Sequence, residues 1–409
     1  LSAEQIAGWD TAKMQAINLT AMADLENDFV SALSEAKVTA LSDKQIEAMG
    51  GDQFAAMSEA QIAAIDAKDL AKLSNADVNA LSADQFNALS AGQIKALTVG
   101  QVGALDDEII QGMGQTQIQA LADAQVKALT TGQMIKFSAE QIAMFSHEAA
   151  GGNINQVALF SVAQIQALSG EQVAGFTAEQ IGAMTVAQVG AFTEDQAASI
   201  TTEQVGAMSA AKVAALNVDT FAALSTDVIG ALSTTPEAAG KPSQLTAVTA
   251  AQIAAMSEEQ VQALTDGEDG QIAALTNKQL AAFTNDQLNA MSTDQIGSIT
   301  AGQVIALTVG SGSLGQINNL SEELLAALSN DATAALTAAQ FTALTESQLG
   351  ALTTDQMGVL TDKQLATLAA GKADAFSGEQ LAAIAEDKVT FLKPEFLAAL
   401  DGESQLASM

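Results

Sequence analysis

The sequence predicts an all-α fold, an α-solenoid of about 49 short two-turn helices with one helix in each eight-residue repeat. The repeat is clearest over residues 177–208, which read TAEQIGAM, TVAQVGAF, TEDQAASI and TTEQVGAM. Position 1 of this octad is Ser or Thr, position 4 is Gln, position 5 is Ile or Val, position 7 is Ala and position 8 is Leu, Met or Phe. A hydroxyl residue followed three residues later by Gln, just ahead of apolar residues, is the capping box of a helix N-terminus.

One continuous helix does not fit this period. Eight residues advance an α-helix by about 800°, so the apolar stripe would slip by about 80° in every octad and form no stable seam. The helix must therefore restart at each position 1. Proline is tolerated in a first turn, and the register places Pro242 and Pro394 at position 2 and Pro236 at position 4.

The octad pattern predicts which residues form the capping boxes. In the clearest stretch we expect Thr177, Thr185 and Thr201 to accept the amide proton of the residue three further on, while Gln180, Gln188 and Gln204 reach back to the cap amides. The octad has no fixed Gly for a left-handed helix end. We therefore expect the remaining N–H of each Gln to serve the last helical carbonyls, as a ladder between adjacent repeats.

Such short helices require mutual support, because an isolated helix of this length is unstable in water. Burial of positions 5 and 8 contributes about 3 to 6 kcal/mol per octad, against roughly 12 kcal/mol for ordering eight residues. We therefore expect one solenoid over residues 1–409, with either two or three octads per turn. The register slips at 146–152, 265–267 and 308–312 have the Gly-rich or Ser-rich composition of surface loops.

The composition excludes several classes of partner. The formal net charge is −33, with 15 basic residues against 48 acidic ones, which argues against binding to nucleic acid or anionic lipid. No apolar run reaches the length of a membrane span, so we expect no membrane insertion. The chain has no Cys, no Tyr and one His. We read no constellation of catalytic or cofactor-binding residues, and predict that the protein is not an enzyme.

Metal binding is weakly indicated at one place only. Asp266, Glu268 and Asp269 are a calcium candidate, but they lack the regular ligand spacing and the distal Glu of a helix–loop–helix site. A solvated loop is the favoured interpretation, with no cofactor. The acidic run 106–108 fits a helix start, and His147 fits a loop or surface position because no second His and no Cys could complete a metal shell.

The pattern T-x-x-Q-[IV]-x-A-[LMF], as in Thr185–Phe192 and Thr337–Leu344, resembles the tandem octapeptide repeats of large secreted or surface-exposed proteins of Gram-negative bacteria. This resemblance covers nearly the whole chain. It implies an extracellular or cell-surface setting and a structural or adhesive role, and it brings no catalytic residue with it.

The leading functional hypothesis is a structural extracellular protein, such as a fibre or filament subunit or a component of a matrix or surface layer. Solenoid ends need covering, and a head-to-tail contact between copies would propagate into a filament. The expected end-to-end contact residues are apolar residues of the first and last octads: Trp9, Ile17, Leu392, Phe396, Leu400 and Leu406. The alternative is a surface adhesin or a module that binds a cell-surface carbohydrate or protein through the solenoid face or its loops.

Overall fold

The computed structural model describes residues 6, 8–147, 155–236, 238, 242–310, 315–401 and 404–405. Every regular element in this part of the chain is a helix, which confirms the all-α solenoid prediction. The contacts divide the chain into two compact units, residues 1–200 and 201–409. Each unit has the same internal construction.

In unit 1 the helices follow one another at the octad period, and each α-helix has four to six residues. The α-helices are Thr11–Gln15, Leu19–Ala23, Asn27–Ser31, Glu35–Thr39, Asp43–Ala48, Gly51–Ala55, Glu59–Ala63, Ala67–Leu70, Asn75–Asn79, Ala83–Asn87, Ala91–Ala96, Val99–Gly103, Asp107–Gly112, Gln115–Ala120, Asp123–Ala128, Thr131–Met134, Ala139–Met144, Val162–Ala167, Gly170–Ala174, Ala178–Ala183, Val186–Val189 and Glu194–Ala197, with a 3₁₀ turn at Val157–Leu159.

Unit 2 repeats this arrangement, and the 3₁₀ segments in its described part are Ile317–Asn319, Ala370–Ala375 and Glu386–Phe391. Its α-helices are Thr202–Gly206, Ala210–Ala215, Val218–Ala222, Thr226–Gly230, Gln244–Ala247, Ala250–Ala255, Glu258–Gln262, Gln271–Ala274, Asn277–Leu280, Asn285–Ala290, Thr293–Gly297, Ala301–Val304, Glu322–Ala327, Asn330–Ala335, Ala338–Ala343, Glu346–Ala351, Thr354–Val359, Asp362–Leu365, Gly378–Ala382 and Pro394–Leu397.

Two extended residues, Met184 and Thr185, separate the helix Ala178–Ala183 from the helix Val186–Val189. Around the helix Ala178–Ala183, the cap Thr177 has φ −71° and ψ 160°, and Met184 at position 8 has φ −62° and ψ 155°. No left-handed residue is needed at these corners. Among the described residues, Gly267 alone has a positive φ, of 87°.

The buried positions of the octad are 4, 5 and 8, whereas positions 2, 3 and 6 face solvent in most repeats. In the octad Thr177–Met184, Gln180 and Ile181 are fully buried and Met184 is 3% exposed. Position-8 side chains of successive octads also contact one another. The rings of Phe137 and Phe145 are 5.3 Å apart, and those of Phe145 and Phe160 are 5.0 Å apart, each pair edge to face.

The glutamine at position 4 links octads that are distant in sequence. Gln85 donates its two side-chain N–H groups to the carbonyls of Phe54, at 3.0 Å, and Met57, at 2.6 Å. These carbonyls are at positions 5 and 8 of the octad four repeats earlier, 31 and 28 residues back. We call this recurring set of bonds the glutamine ladder. The predicted donor is confirmed, although its partner is four repeats away rather than adjacent.

A second set of contacts joins octads three repeats apart. The position-6 side chain of Asn79 donates to the carbonyl of Ala104, 25 residues later, at 2.7 Å. Where position 6 is glycine, the backbone lies close to the corresponding position-7 carbonyl three repeats later. A Cβ on Gly103, for example, would lie 3.3 Å from the Ala128 oxygen. Neighbours at both three and four repeats indicate between three and four octads per turn within each unit. The option of two octads per turn is therefore wrong.

Register slips all occur at one place in the octad, between the cap at position 1 and the glutamine at position 4. In a regular octad the cap N–H donates to the side-chain oxygen of the glutamine three residues later. The same bond forms across each insertion, where the glutamine lies further away in the sequence. The pairs are separated by 10, 11, 6, 8 and 4 residues: Ser146–Gln156, Ser233–Gln244, Thr265–Gln271, Thr308–Gln316 and Asp401–Gln405.

These separations correct the octad count. The insertions hold 7, 8, 3, 5 and 1 residues, and when these 24 residues and Leu1 are set aside, 384 residues remain, or 48 octads rather than 49. The difference arises at 233–248, which was counted as two octads and is one octad with a loop. Pro236 and Pro242 therefore lie before the helix Gln244–Ala247, whereas Pro394 is at a helix N1 position.

The predicted slips are thus placed differently from the expectation. Ser146, Thr265 and Thr308 keep their capping roles, so each break begins after the cap rather than at it. Residues 148–152 of the first slip and 311–312 of the third lie outside the described residues.

Candidate functional surface

The predicted capping residues form both bonds of the capping box. The Gln180 amide donates to Thr177 Oγ1 at 3.2 Å, and the Thr177 amide donates to Gln180 Oε1 at 2.8 Å. The pairs Thr185–Gln188 and Thr201–Gln204 have the same geometry, with distances between 2.7 and 3.3 Å. The oxygens of these hydroxyls therefore act as helix caps within the chain.

Exposed glutamates at position 3 give the surface its most regular chemistry. The pKa values of Glu179, Glu203 and Glu259 are lowered by their own backbone N–H groups and by the cap hydroxyls. For Glu140 the cap hydroxyl of Ser138 is the larger cause. Negative charge at a helix N-terminus is favourable, so these carboxylates stay ionised over a wide range of pH.

His147 contributes to this surface in a minor way. It is half-buried, and its proximity helps to lower the pKa of Glu179. The acidic run 106–108 is also part of an ordinary helix start, where the carboxylate of Asp107 lies 2.7 Å from Lys136 Nζ.

The densest group of charges in the described chain surrounds Asp43. Its two oxygens contact Lys68 Nζ at 3.0 Å and Lys72 Nζ at 2.7 Å. These hydrogen bonds, that of Lys72 being the stronger influence, hold the pKa of Asp43 well below its usual range. The same contacts raise the pKa values of Lys68 and Lys72. Asp43 lies two octads or more before its partners, so the periodic pattern alone did not reveal the cluster.

Asp69 is a buried acid in the place of a ladder glutamine. Its side chain is 5% exposed, and Lys72 Nζ lies 3.4 Å away. Burial is the main cause that raises the pKa of Asp69, and the charge of Asp43 adds to it. An ionised carboxylate offers no proton to the backbone carbonyls that a glutamine would serve. The signal for this residue was present in the octad DAKDLAKL, where Asp occupies position 4.

Two of the lysines that occupy the glutamine position donate to ladder carbonyls. Lys372 Nζ donates to the Leu344 carbonyl at 3.0 Å, and Lys388 Nζ donates to the Leu360 carbonyl at 2.7 Å, in each case 28 residues back. Both carbonyls are at position 8 of the octad four repeats earlier. These lysines are therefore members of the glutamine ladder, a role that the sequence analysis did not assign to them.

The calcium candidate is not assembled in this fold. Asp266, Glu268 and Asp269 are all exposed in the insertion that follows Thr265. The described ranges contain no group of three acidic, histidine or cysteine side chains that could hold a metal ion. The Gly267 N–H donates to Ser298 Oγ at 2.7 Å, which joins the loop to the C-terminal end of the helix Thr293–Gly297.

Three of the residues predicted for an end-to-end contact are buried within the chain itself. Leu392, Phe396 and Leu400 are 4%, 0% and 6% exposed, because the chain's own neighbouring octads cover them. The Phe396 ring packs edge to face on Phe376, with 5.9 Å between the ring centres.

The other predicted end residues differ in their placement. Trp9 and Ile17 are half-buried, and the Trp9 ring lies 6.3 Å from the ring of Phe29. Leu406 lies outside the described residues. Phe391, a large apolar side chain that is 44% exposed, was not among the predicted end residues.

A bilayer-spanning helix does not occur in the part of the chain that the structure describes, since every helix there is too short and too polar.

Comparison with known proteins identifies the type of repeat. A family model described as the ALTTAQ repeat matches residues 62–99 and 272–309. Its six letters correspond to positions 7, 8, 1, 2, 3 and 4 of the octad, as in residues 351–356, ALTTDQ. None of the curated proteins compared with the chain matches it. The chain is a repeat protein, and in these two stretches its repeat is similar to the ALTTAQ repeat.

Proposed function

We propose that this protein is a structural component of the bacterial cell surface or extracellular matrix, and that it has no enzymatic activity. The observation that supports this role is the glutamine ladder. In octad after octad the whole polar side chain at position 4 is occupied by bonds within the chain, as Gln180 is with Ile142 and Phe145. Such internal hydrogen bonding stabilises the fold itself, which favours a structural role.

The setting is tested directly in cells of the producing bacterium. Antibody labelling of intact cells and assay of the culture medium should locate the chain outside the cell. A chain found wholly in the cytoplasm would refute the extracellular role.

Self-association is the second part of the proposal. Exposed Phe391 and half-buried Trp9 and Ile17 are among the apolar side chains that are available for contact between copies. We expect the scattering mass of the full chain to rise with concentration, and we expect Phe391→Ser to reduce the rise. The matched control is Ile305→Ser, at an exposed residue of similar size. A constant monomer mass up to high concentration would exclude a filament.

A binding module is the second candidate, and the common position of the insertions favours it. All five emerge between position 1 and position 4, and loops on a rigid scaffold commonly carry recognition. Replacement of residues 265–270 by a plain cap segment would shorten the loop and keep Gln271 in place. Loss of adhesion to host cells would favour this role, and unchanged adhesion would count against it.

A further inference from the structure

We propose that two asparagines, Asn79 and Asn289, take over part of the role of a glutamine that is missing from the octad four repeats later. In a regular octad the glutamine at position 4 accepts the N–H of the cap at position 1, as described above for Gln180. In the octads that these two asparagines reach, position 4 is aliphatic instead, with Ile109 in one and Leu324 in the other. A side chain without an oxygen cannot accept the cap N–H.

Asn79 supplies the missing acceptor in the first unit. Its side-chain nitrogen donates to the Ala104 carbonyl at 2.7 Å, and its side-chain oxygen accepts the Asp106 N–H at 3.1 Å. Asp106 is the cap of the helix Asp107–Gly112, and its own side chain makes no capping bond. The asparagine oxygen therefore takes the place of the glutamine oxygen at this cap.

Asn289 makes the same pair of bonds in the second unit. Its nitrogen donates to the Asn319 carbonyl at 2.9 Å, and its oxygen accepts the Ser321 N–H at 2.9 Å. The bonded residues are 30 and 32 positions apart, against 25 and 27 for Asn79, because the insertion after Thr308 lies between them. The asparagine bridge thus keeps its place in the octad although the intervening chain is longer.

A third asparagine at position 6 shows that the two tasks of the glutamine are separable. Asn87 donates to the Gly112 carbonyl and accepts the Gly114 N–H at 2.9 Å. Gln117, at position 4 of the octad that Gly114 begins, still donates to the carbonyls of Asn87, at 2.8 Å, and Leu89, at 3.0 Å. An asparagine can therefore accept the cap N–H while the ladder donors remain in use.

Asn318 shows the converse arrangement. It also occupies position 6, and the cap at the corresponding distance, 27 residues later, is Thr345. The Thr345 N–H donates to Gln348 Oε1 at 2.9 Å instead. The Asn318 oxygen is buried and has no hydrogen-bond partner in the described part of the chain. Where the glutamine holds the cap N–H, the asparagine oxygen is thus left unpaired.

Amide hydrogen exchange of the full chain, followed by NMR, tests the proposal because the N–H in question is itself observed. In Asn79→Ala we expect the Asp106 N–H to exchange about five times faster than in the wild type, since one hydrogen bond of ordinary net strength is lost. Adding Ile109→Gln to Asn79→Ala should bring the rate back to within about twofold of the wild-type rate, because the glutamine oxygen again accepts this N–H.

Asn318→Ala is the matched control, because it removes an asparagine from the same octad position. The Thr345 N–H should keep its wild-type exchange rate within about twofold, since Gln348 continues to accept it. If Ile109→Gln prevents folding in the Asn79→Ala background, the same comparison is made at the Ser321 N–H with Asn289→Ala, alone and together with Leu324→Gln.

Three results would overturn the proposal. The first is an exchange rate at Asp106 that Asn79→Ala leaves unchanged, and the second is a rate that the added glutamine does not restore in the folded protein. The third is an equal acceleration at Thr345 in Asn318→Ala, which would show that asparagine at position 6 acts through packing rather than through the cap N–H. None of these outcomes depends on where the protein is located or on whether it self-associates.

Discussion

At the scale of single residues, glutamine at position 4 satisfies three backbone groups. In Gln85 the side-chain oxygen accepts the Ser82 N–H at 2.7 Å, and the side-chain nitrogen serves two carbonyls four octads away. Glutamine has the oxygen, the two protons and the length that this geometry requires. This explains why the shorter Asp77 retains the bond to its cap Ser74 but takes no part in the glutamine ladder.

Gln180→Glu should therefore be strongly destabilising. The substitution places a carboxylate between the Ile142 and Phe145 carbonyls, which lose their donors. We expect a loss of roughly 3 to 5 kcal/mol in the free energy of unfolding, as for other uncompensated buried charges. Denaturant titration measures it. Gln166→Glu, at an exposed position 6, is the control, and an equal effect of both variants would contradict the ladder's role.

Asp69→Gln should instead raise the free energy of unfolding. By register, a glutamine here would serve the carbonyls of Val38 and Leu41, in the way that Gln279 serves Leu245 at 2.7 Å and Val248 at 2.8 Å. Two restored hydrogen bonds contribute about 1 to 3 kcal/mol. Thermal melts at neutral pH measure the gain, with the exposed Asp84→Gln as control.

The advantage of Asp69→Gln should depend on pH. Burial raises the pKa of Asp69, so the folded state holds the proton more tightly than the unfolded state does. Above the raised pKa, the ionised Asp69 side chain lowers the free energy of unfolding by its full amount. This loss disappears as the pH falls towards the ordinary pKa of Asp. The stability difference between variant and wild type should shrink over that window. A difference independent of pH would show that ionisation of Asp69 has no part in it.

At the scale of the helix, the octad tolerates extra residues between the cap at position 1 and the glutamine at position 4. The insertion between Thr265 and Gln271 keeps both bonds of the capping box, at 3.0 and 2.9 Å. The cap lies outside the apolar core, so a loop here displaces no buried side chain. Between positions 5 and 8 an insertion would instead move the apolar position-8 residue away from its neighbours.

Engineered insertions test this difference. Three residues, Gly-Asp-Gly, placed between Thr185 and Gln188 should lower the free energy of unfolding by about 1 to 2 kcal/mol, from loop closure and a weakened cap. The same residues between Val189 and Phe192 should cost at least about 3 kcal/mol, since a fully buried aromatic side chain loses its packing. Equal losses in denaturant titration would contradict the distinction.

Local chemistry made much of this architecture predictable. Helix restarts and the glutamine donors both follow from the capping box and from a period that cannot be one helix. The distance of four octads did not follow, because it depends on how many octads complete a turn. The insertion that follows Ser146 was placed too early, with Ser146 inside it, because Asn153 is as good a cap as Ser146. Leu392 and Phe396 were assigned to an interface because their neighbours in the stack could not be inferred from the repeat alone.

At the scale of the whole molecule, the net charge of −33 opposes folding through self-repulsion. Raising NaCl from 0.01 to 1 M shortens the Debye length from about 30 to about 3 Å. We therefore expect the melting temperature to rise with salt. The Asp43 cluster is an attraction that salt weakens, so removal of it by Asp43→Ala should steepen the rise. A fall in melting temperature with salt would contradict the dominance of repulsion.

The range of the ladder bonds has a consequence for how the protein is made. Each glutamine of the ladder finds its acceptors between 28 and 42 residues back in the described chain. A growing polypeptide can therefore complete each octad's bonds soon after that octad leaves the ribosome, without waiting for distant sequence. Folding of such local contacts is fast, and at any moment roughly the four newest octads alone would carry uncovered apolar surface.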